Sequence, residues 1–89
     1  MTHHRDRASW RTILRAWLKT KASGHLCHSR DVFTWAGSGA IPLLPGDLKP
    51  INRDGRPRWR HTLSGALSDL WRSGELQHPG IAKQVWRVP

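Results

Sequence analysis

The chain of 89 residues carries 15 Lys and Arg against six Asp and Glu, which gives a formal net charge of +9 at neutral pH. This length allows one small domain, and the charge favours a polyanionic partner, nucleic acid ahead of an anionic membrane surface. The longest apolar run, 40–45, is too short and too rich in proline to span a bilayer, and no signal peptide is visible.

The single cysteine, Cys27, excludes an intramolecular disulfide framework and fits a reducing environment. The excess of Arg over Lys points to a GC-rich bacterial genome. We therefore expect a bacterial, cytoplasmic and nucleoid-associated protein. His25, Cys27 and His28 lie close together, but a structural zinc site needs four ligands, so we expect neither a metal nor another cofactor.

A first helix is predicted over about 10–21. Residues 1–8 are polar and basic, and we expect them to form a flexible arm. Ser9 is the predicted N-cap, because its hydroxyl can accept a free backbone N–H, and Gly24 would stop the helix. The apolar residues behind Ser9 have the spacing of an amphipathic helix: Trp10, Ile13, Leu14, Trp17 and Leu18.

The middle of the chain alternates short elements with loops. Residues 25–28 predict a short strand or an extended link, and Ser29 is the predicted N-cap of a second helix that ends at Gly37. The stretch 37–50 holds three Gly and three Pro and predicts a loop, with a brief turn near Asp47 and Leu48.

The longest helical pattern covers about 57–73, with Pro57 in its first turn and Gly74 as its C-cap. The remaining segment, 75–88, predicts a hairpin that turns at 78–81. Tryptophans on the inward faces are expected in the core, while Trp35 is the least certain. The expected core tryptophans are Trp10, Trp17, Trp59, Trp71 and Trp86.

The predicted order of elements is that of a winged helix-turn-helix domain, which is mainly α with a small β-sheet. This order is helix, short strand, helix, loop, long helix and hairpin. The stretch from Arg58 to Val88, with WRHTLSGALSDLWRSGELQHPG followed by QVWRVP, also resembles the N-terminal winged-helix domain of Mrr-type restriction endonucleases. The resemblance covers the last third of the chain and implies a DNA-binding module, or a relative that binds protein. We expect no enzymatic activity, because nothing in the match belongs to a nuclease domain and the carboxylates are dispersed.

In this arrangement, 9–89 is one winged-helix domain, with 57–73 as its recognition helix and 75–88 as its wing. Gly65 lies in the middle of the polar face of that helix, where it would allow close approach of a partner or pack a neighbour. Asp69 is expected to pair with Arg72. The candidate DNA contacts on and beside this helix are Arg56, Arg58, Arg60, His61, Ser64, Ser68 and Arg72.

Further candidate contacts lie outside this helix. Lys83 at the tip of the wing is a predicted phosphate contact. Arg11 and Arg15 form a basic ridge with Lys19 on the first helix, and Arg5 and Arg7 of the arm could follow a groove. The ridge also fits a role in solubility alone.

The sequence thus predicts a double-stranded DNA-binding protein, either a small transcription regulator or an accessory DNA-recognition factor. The alternative is a winged-helix adaptor whose basic face binds an acidic protein, and RNA binding is a weaker third interpretation. No dimerisation helix is evident, so a monomer is expected, with a dimer left open.

Overall fold

The computed structural model describes residues 3–50, 55–80 and 84–89. These residues form a small α+β fold with three helices and a two-stranded antiparallel sheet. In chain order the elements are α1 (Arg7–Leu18), β1 (Leu26–His28), α2 (Ser29–Gly37), a short 3-10 helix (Pro45–Leu48), α3 (Arg58–Arg72) and β2 (Val85–Arg87).

Helix α1 begins three residues earlier than expected, and the predicted N-cap at Ser9 is wrong. Asp6 is the N-cap, because its carboxylate Oδ1 accepts the backbone N–H of Ser9 at 2.8 Å. A carboxylate can accept this N–H as a hydroxyl can, and its negative charge is also stabilised by the positive end of the helix dipole. Arg7 and Ala8, which we expected in the arm, therefore form the first turn of α1.

Residues 3–6 are hydrogen-bonded to the loop at 42–47, and we call this contact the N-terminal clasp. The fully buried carboxylate of Asp47 accepts the backbone N–H groups of Arg5 at 2.7 Å and of Leu44 at 2.8 Å. The Gly46 N–H donates to the His3 carbonyl at 2.7 Å. Backbone groups of His3 and Arg5 in the predicted arm are thus hydrogen-bonded to this loop.

Helix α2 is capped by His28, not by the predicted Ser29. His28 Nδ1 accepts the Arg30 N–H at 3.0 Å, and the Asp31 carboxylate accepts the His28 N–H at 3.3 Å. Ser29 is buried instead, and its hydroxyl accepts the indole N–H of Trp86 at 2.9 Å. This bond fixes the start of α2 against strand β2.

The sheet joins β1 to β2, with Leu26 opposite Arg87 and His28 opposite Val85. The segment before β2 folds back as the hairpin prediction requires, because Gln77 exchanges two backbone hydrogen bonds with Arg87. The regular partner of β2 is nevertheless β1. The expected turn lies only partly within the described residues, since 81–83 are outside them, although Gly80 has the positive φ of 79° that such a turn uses.

The core lies mainly between α1 and α3. Trp10 and Trp59 are buried there with ring centroids 6.3 Å apart. Burial also raises the pKa of the Cys27 thiol on β1. The buried apolar residues of this core are Trp10, Leu14, Leu18, Cys27, Val32, Ala36, Trp59, Leu63, Ala66, Leu67, Leu70 and Leu76.

The tryptophans differ from one another in burial, and the expectation for Trp71 is wrong. Its side chain is 48% exposed, because it lies at the edge of the apolar stripe of α3, where the rings of His78 and Trp86 flank it. Trp35 is half-buried and stacks on Trp17 with centroids 4.6 Å apart. No helix in the described part of the chain is long and apolar enough to cross a membrane.

Candidate nucleic-acid interface

Helix α3 has two contrasting polar sides. On one side it contacts α1 through charged residues, which we call the α1–α3 seam: Arg7, Arg11, Arg15, Asp69 and Glu75. The other polar side we call the open face: Arg30, Thr34, Arg60 and Gln84 lie beside α2 and the sheet, His61, Ser64 and Ser68 line a groove along α3, and Arg72 is exposed in its last turn.

Asp69 is the centre of the seam. Its Oδ2 accepts a hydrogen bond from Arg11 Nη1 at 2.7 Å and lies 2.9 Å from Arg7 Nε in a second ion pair. The predicted pair of Asp69 with Arg72 is therefore wrong. The arginines of α1 approach Asp69 because the core packs the two helices together, and this tertiary contact outweighs a local pair within one helix.

The third ion pair of the seam joins Arg15 to Glu75. Arg15 Nε lies 2.6 Å and its Nη2 3.0 Å from the two carboxylate oxygens of Glu75, a two-pronged geometry. These bonds lower the pKa of Glu75 to about 2, with a smaller contribution from the hydrogen bond that the Ser73 hydroxyl donates at 2.6 Å. The predicted free basic ridge of α1 is thus ion-paired at Arg11 and Arg15 within this chain.

Gly65 is explained by a neighbour from α1. A Cβ atom at this position would lie 2.7 Å from Arg7 Nε, so the Arg7 side chain crosses α3 directly over the glycine. Of the two roles considered for Gly65, the structure therefore shows the packing of a neighbour. A groove of about 380 Å³ lies here, lined by Arg7, His61, Thr62, Ser64, Gly65 and Ser68.

At the other edge of the open face, Arg60 lies against the aromatic side chains that join α2 to α3. Its guanidinium is 5.0 Å from the Phe33 ring centroid and 5.5 Å from that of Trp59. A groove of about 310 Å³ runs beside it, lined by His28, Ser29, Arg30, Phe33, Thr34, Arg60 and Gln84. Within the described ranges, neither Arg30 nor Arg60 has a carboxylate within salt-bridge distance.

The remaining predicted contacts are dispersed. Arg58 is half-buried at the start of α3, where its N–H donates to the Lys49 carbonyl at 2.9 Å, and Arg56 is exposed just before it. Arg5 belongs to the clasp, where its guanidinium donates to the Pro42 carbonyl at 2.8 Å. Lys83 lies outside the described residues.

Sequence reasoning missed Arg30 and Thr34, which the structure brings beside Arg60. Their spacing, four residues apart on a predicted helix, places them on one face and could have indicated both. Gln84, which the sequence places at the tip of the predicted wing, lines the same groove because β2 pairs with β1.

No group of three or more His, Cys, Asp or Glu residues in the described part of the chain is arranged to hold a metal ion. Comparison with models of protein families, with curated proteins and with solved structures gives no match to this chain. The interpretation of the open face therefore depends on its own geometry and charge.

Proposed function

We propose that this protein binds double-stranded DNA through the open face, as a winged helix-turn-helix module. In this proposal α3 enters the major groove, and the segment around Gln77 to Arg87, with Lys83, follows the backbone. The observation that carries the proposal is the division of charge around α3. The carboxylates of Asp69 and Glu75 are bound to arginines of α1, while Arg30, Arg60 and Arg72 are left without a carboxylate partner among the described residues.

The spacing of these cations fits a duplex. Arg60 and Arg72 are twelve residues apart on one helix, which corresponds to about 18 Å at 1.5 Å per residue. The major groove is about 12 Å wide, so this span is longer than the groove is wide, and the end cations would lie at or beyond the groove edges, where the phosphates are. Ser64 and Ser68 between them are small side chains that would let the helix approach the bases.

The proposal assigns separate roles to the cations. Arg30, Arg72 and Lys83 would neutralise phosphates, which sets affinity without reading sequence. Arg60 is held by two aromatic rings in a fixed position, as a side chain that contacts a base edge or a particular phosphate needs to be. This distribution of contacts fits a role as a small transcription regulator or an accessory DNA-recognition factor that acts as a monomer.

The salt dependence of binding is a quantitative test. With Arg30, Arg58, Arg60, Arg72 and Lys83 as phosphate contacts, log affinity should fall against log salt with a slope of about −4.5. Counting the seam arginines as well would give a slope of about −7. The ion pairs of the seam therefore favour the smaller value.

The experiment is a fluorescence-anisotropy titration at four salt concentrations with a random-sequence duplex, a random single strand, a duplex RNA and an acidic polypeptide. We expect the DNA duplex to bind most tightly, with the slope above. Negligible duplex binding at low salt would overturn the proposal. Preferential binding of the acidic polypeptide would instead assign the open face to an acidic protein partner.

A further inference from the structure

We propose that Arg7, a residue of α1, contacts a guanine base through the groove over Gly65, with Asp69 as the residue that positions it. This inference depends on the proposed function, and it adds a specificity-determining residue from outside α3. Three features of Arg7 support it: the path of its side chain, its ion pair with Asp69 and the charge of the cluster around it.

The path of Arg7 is made possible by a glycine. On the backbone of α3, a Cβ at position 65 would lie 2.7 Å from Nε and 2.9 Å from Cζ of Arg7, closer than side-chain atoms pack. Any other residue at 65 would displace the guanidinium from α3. A glycine inside a helix is less favourable than an alanine, and here it brings a cation over the polar face of the helix.

The ion pair with Asp69 leaves the outer end of Arg7 available. Arg7 Nε lies 2.9 Å from Asp69 Oδ2, while the Arg7 side chain as a whole remains 50% exposed. No hydrogen bond from its two terminal Nη groups is found among the described residues. Two parallel N–H donors on a fixed plane match the O6 and N7 acceptors of guanine in the major groove.

The charge of the cluster formed by Arg7, Arg11 and Asp69 also favours binding of a hydrogen-bond acceptor on the DNA. Asp69 is shared by two guanidinium groups, those of Arg7 and Arg11, so the three side chains together carry a net charge of +1. The walls of the groove are formed by His61, Ser64 and Ser68, which are uncharged or weakly basic and small enough to admit the edge of a base. None of the residues that line this groove is acidic.

The glycine at position 65 provides the most specific variant for testing the role of Arg7. Gly65→Ala would push the flexible end of Arg7 away without removing its charge, and it replaces a helical glycine with the best helix former, so the fold should be retained. Gly37→Ala is the matched control. Gly37 ends α2, and its added Cβ would meet only the Trp59 ring, at an ordinary 3.4 Å.

The experiment is selection from a random duplex pool, followed by titration of the selected duplex and of the same duplex with 7-deazaguanine at its preferred guanine. We expect the wild type to lose about tenfold in affinity when N7 is removed. We expect Gly65→Ala and Arg7→Gln to bind both duplexes equally, and Gly37→Ala to behave as the wild type.

The outcomes separate the two proposals. If the wild type binds duplex DNA but Gly65→Ala keeps the full sensitivity to 7-deazaguanine, Arg7 does not read the base and this inference fails alone. If the selected sequence contains no preferred guanine, it also fails alone. If no duplex binds even at low salt, the proposed function fails and this inference falls with it.

Discussion

Arginine side chains have different partners in the α1–α3 seam and on the open face. In the seam, Arg11 and Arg15 are held by Asp69 and Glu75 at 2.7 and 2.6 Å, so their charge is neutralised within the fold. On the open face, Arg60 rests on aromatic rings and no carboxylate of the described residues neutralises it. The net charge of the chain therefore says less about binding than the side of α3 on which each cation lies.

This difference separates stability from binding. Loss of a seam residue should weaken the fold, because an ion pair and the packing beneath it are disturbed. Loss of an open-face cation should weaken binding and leave the fold intact. The following variants test whether stability and binding are divided between the two sides in this way.

The largest expected effect is on the core beneath the seam. Trp10 is fully buried between α1 and α3, so Trp10→Ala should reduce the free energy of unfolding by about 3–5 kcal/mol. Trp71→Ala, on the exposed side of the same helix pair, should cost about 1 kcal/mol, near the average for a point substitution. Urea unfolding of the wild type and both variants measures these values, and equal losses would show that α3 is stabilised on both sides alike.

The double variant Arg30→Gln and Arg72→Gln tests the open face. If each cation contacts one phosphate, affinity for a random duplex in 0.1 M salt should fall on the order of sixtyfold, and the salt slope should become shallower by about 1.8. The matched control is Lys19→Gln with Lys21→Gln, which removes the same charge at the end of α1. Equal losses in the two double variants would mean that overall charge, not the open face, determines binding.

The seam is tested by Asp69→Asn. This substitution removes the charge that holds Arg7 and Arg11, and we expect it to lower the free energy of unfolding by about 1–2 kcal/mol, since both ion pairs are partly exposed. Lys19→Gln, which removes one exposed charge at the end of α1, is the control and should change stability by only a few tenths of a kcal/mol. A seam without energetic importance would make the two substitutions indistinguishable in urea unfolding.

The smallest effect is the pH dependence of the Glu75 pair. Because the fold lowers the pKa of Glu75 to about 2, the ion pair stabilises the protein above the ordinary pKa of a glutamate. That contribution is lost as pH falls from about 4.5 to 2. Wild type and Glu75→Gln should therefore differ in urea midpoint at pH 7 and converge by pH 2, and a constant difference across this range would exclude the pair as its source.

The sequence predicted the elements that depend on local patterns. The apolar spacing of α3 placed this helix within one residue of its observed ends, and the loop at 37–50 contains its brief turn where Asp47 and Leu48 indicated it. The caps were less accurate. Ser9 and Ser29 are good cap residues, but Asp6 and His28 lie where the chain actually enters each helix.

The seam could not be predicted in the same way. Arg11 and Asp69 are 58 residues apart, and Arg15 and Glu75 are 60 residues apart, so only the packing of α1 on α3 brings them together. The role of Gly65 had the same limit, because the side chain that crosses it comes from the other end of the chain. The exposure of Trp71 was missed since a helical stripe does not reveal where its edge ends.

The N-terminal clasp has a consequence for the order of folding. It joins the segment before α1 to a loop by hydrogen bonds, whereas the contact between α1 and α3 buries Trp10 and Trp59, and a folding nucleus usually forms around packed apolar elements. We therefore expect the clasp to be absent from the folding transition state, with α1 and α3 already in contact. A change that opens it, such as Asp47→Asn, should then leave the folding rate nearly unchanged and accelerate unfolding, so the clasp controls how long the native state persists once it has formed.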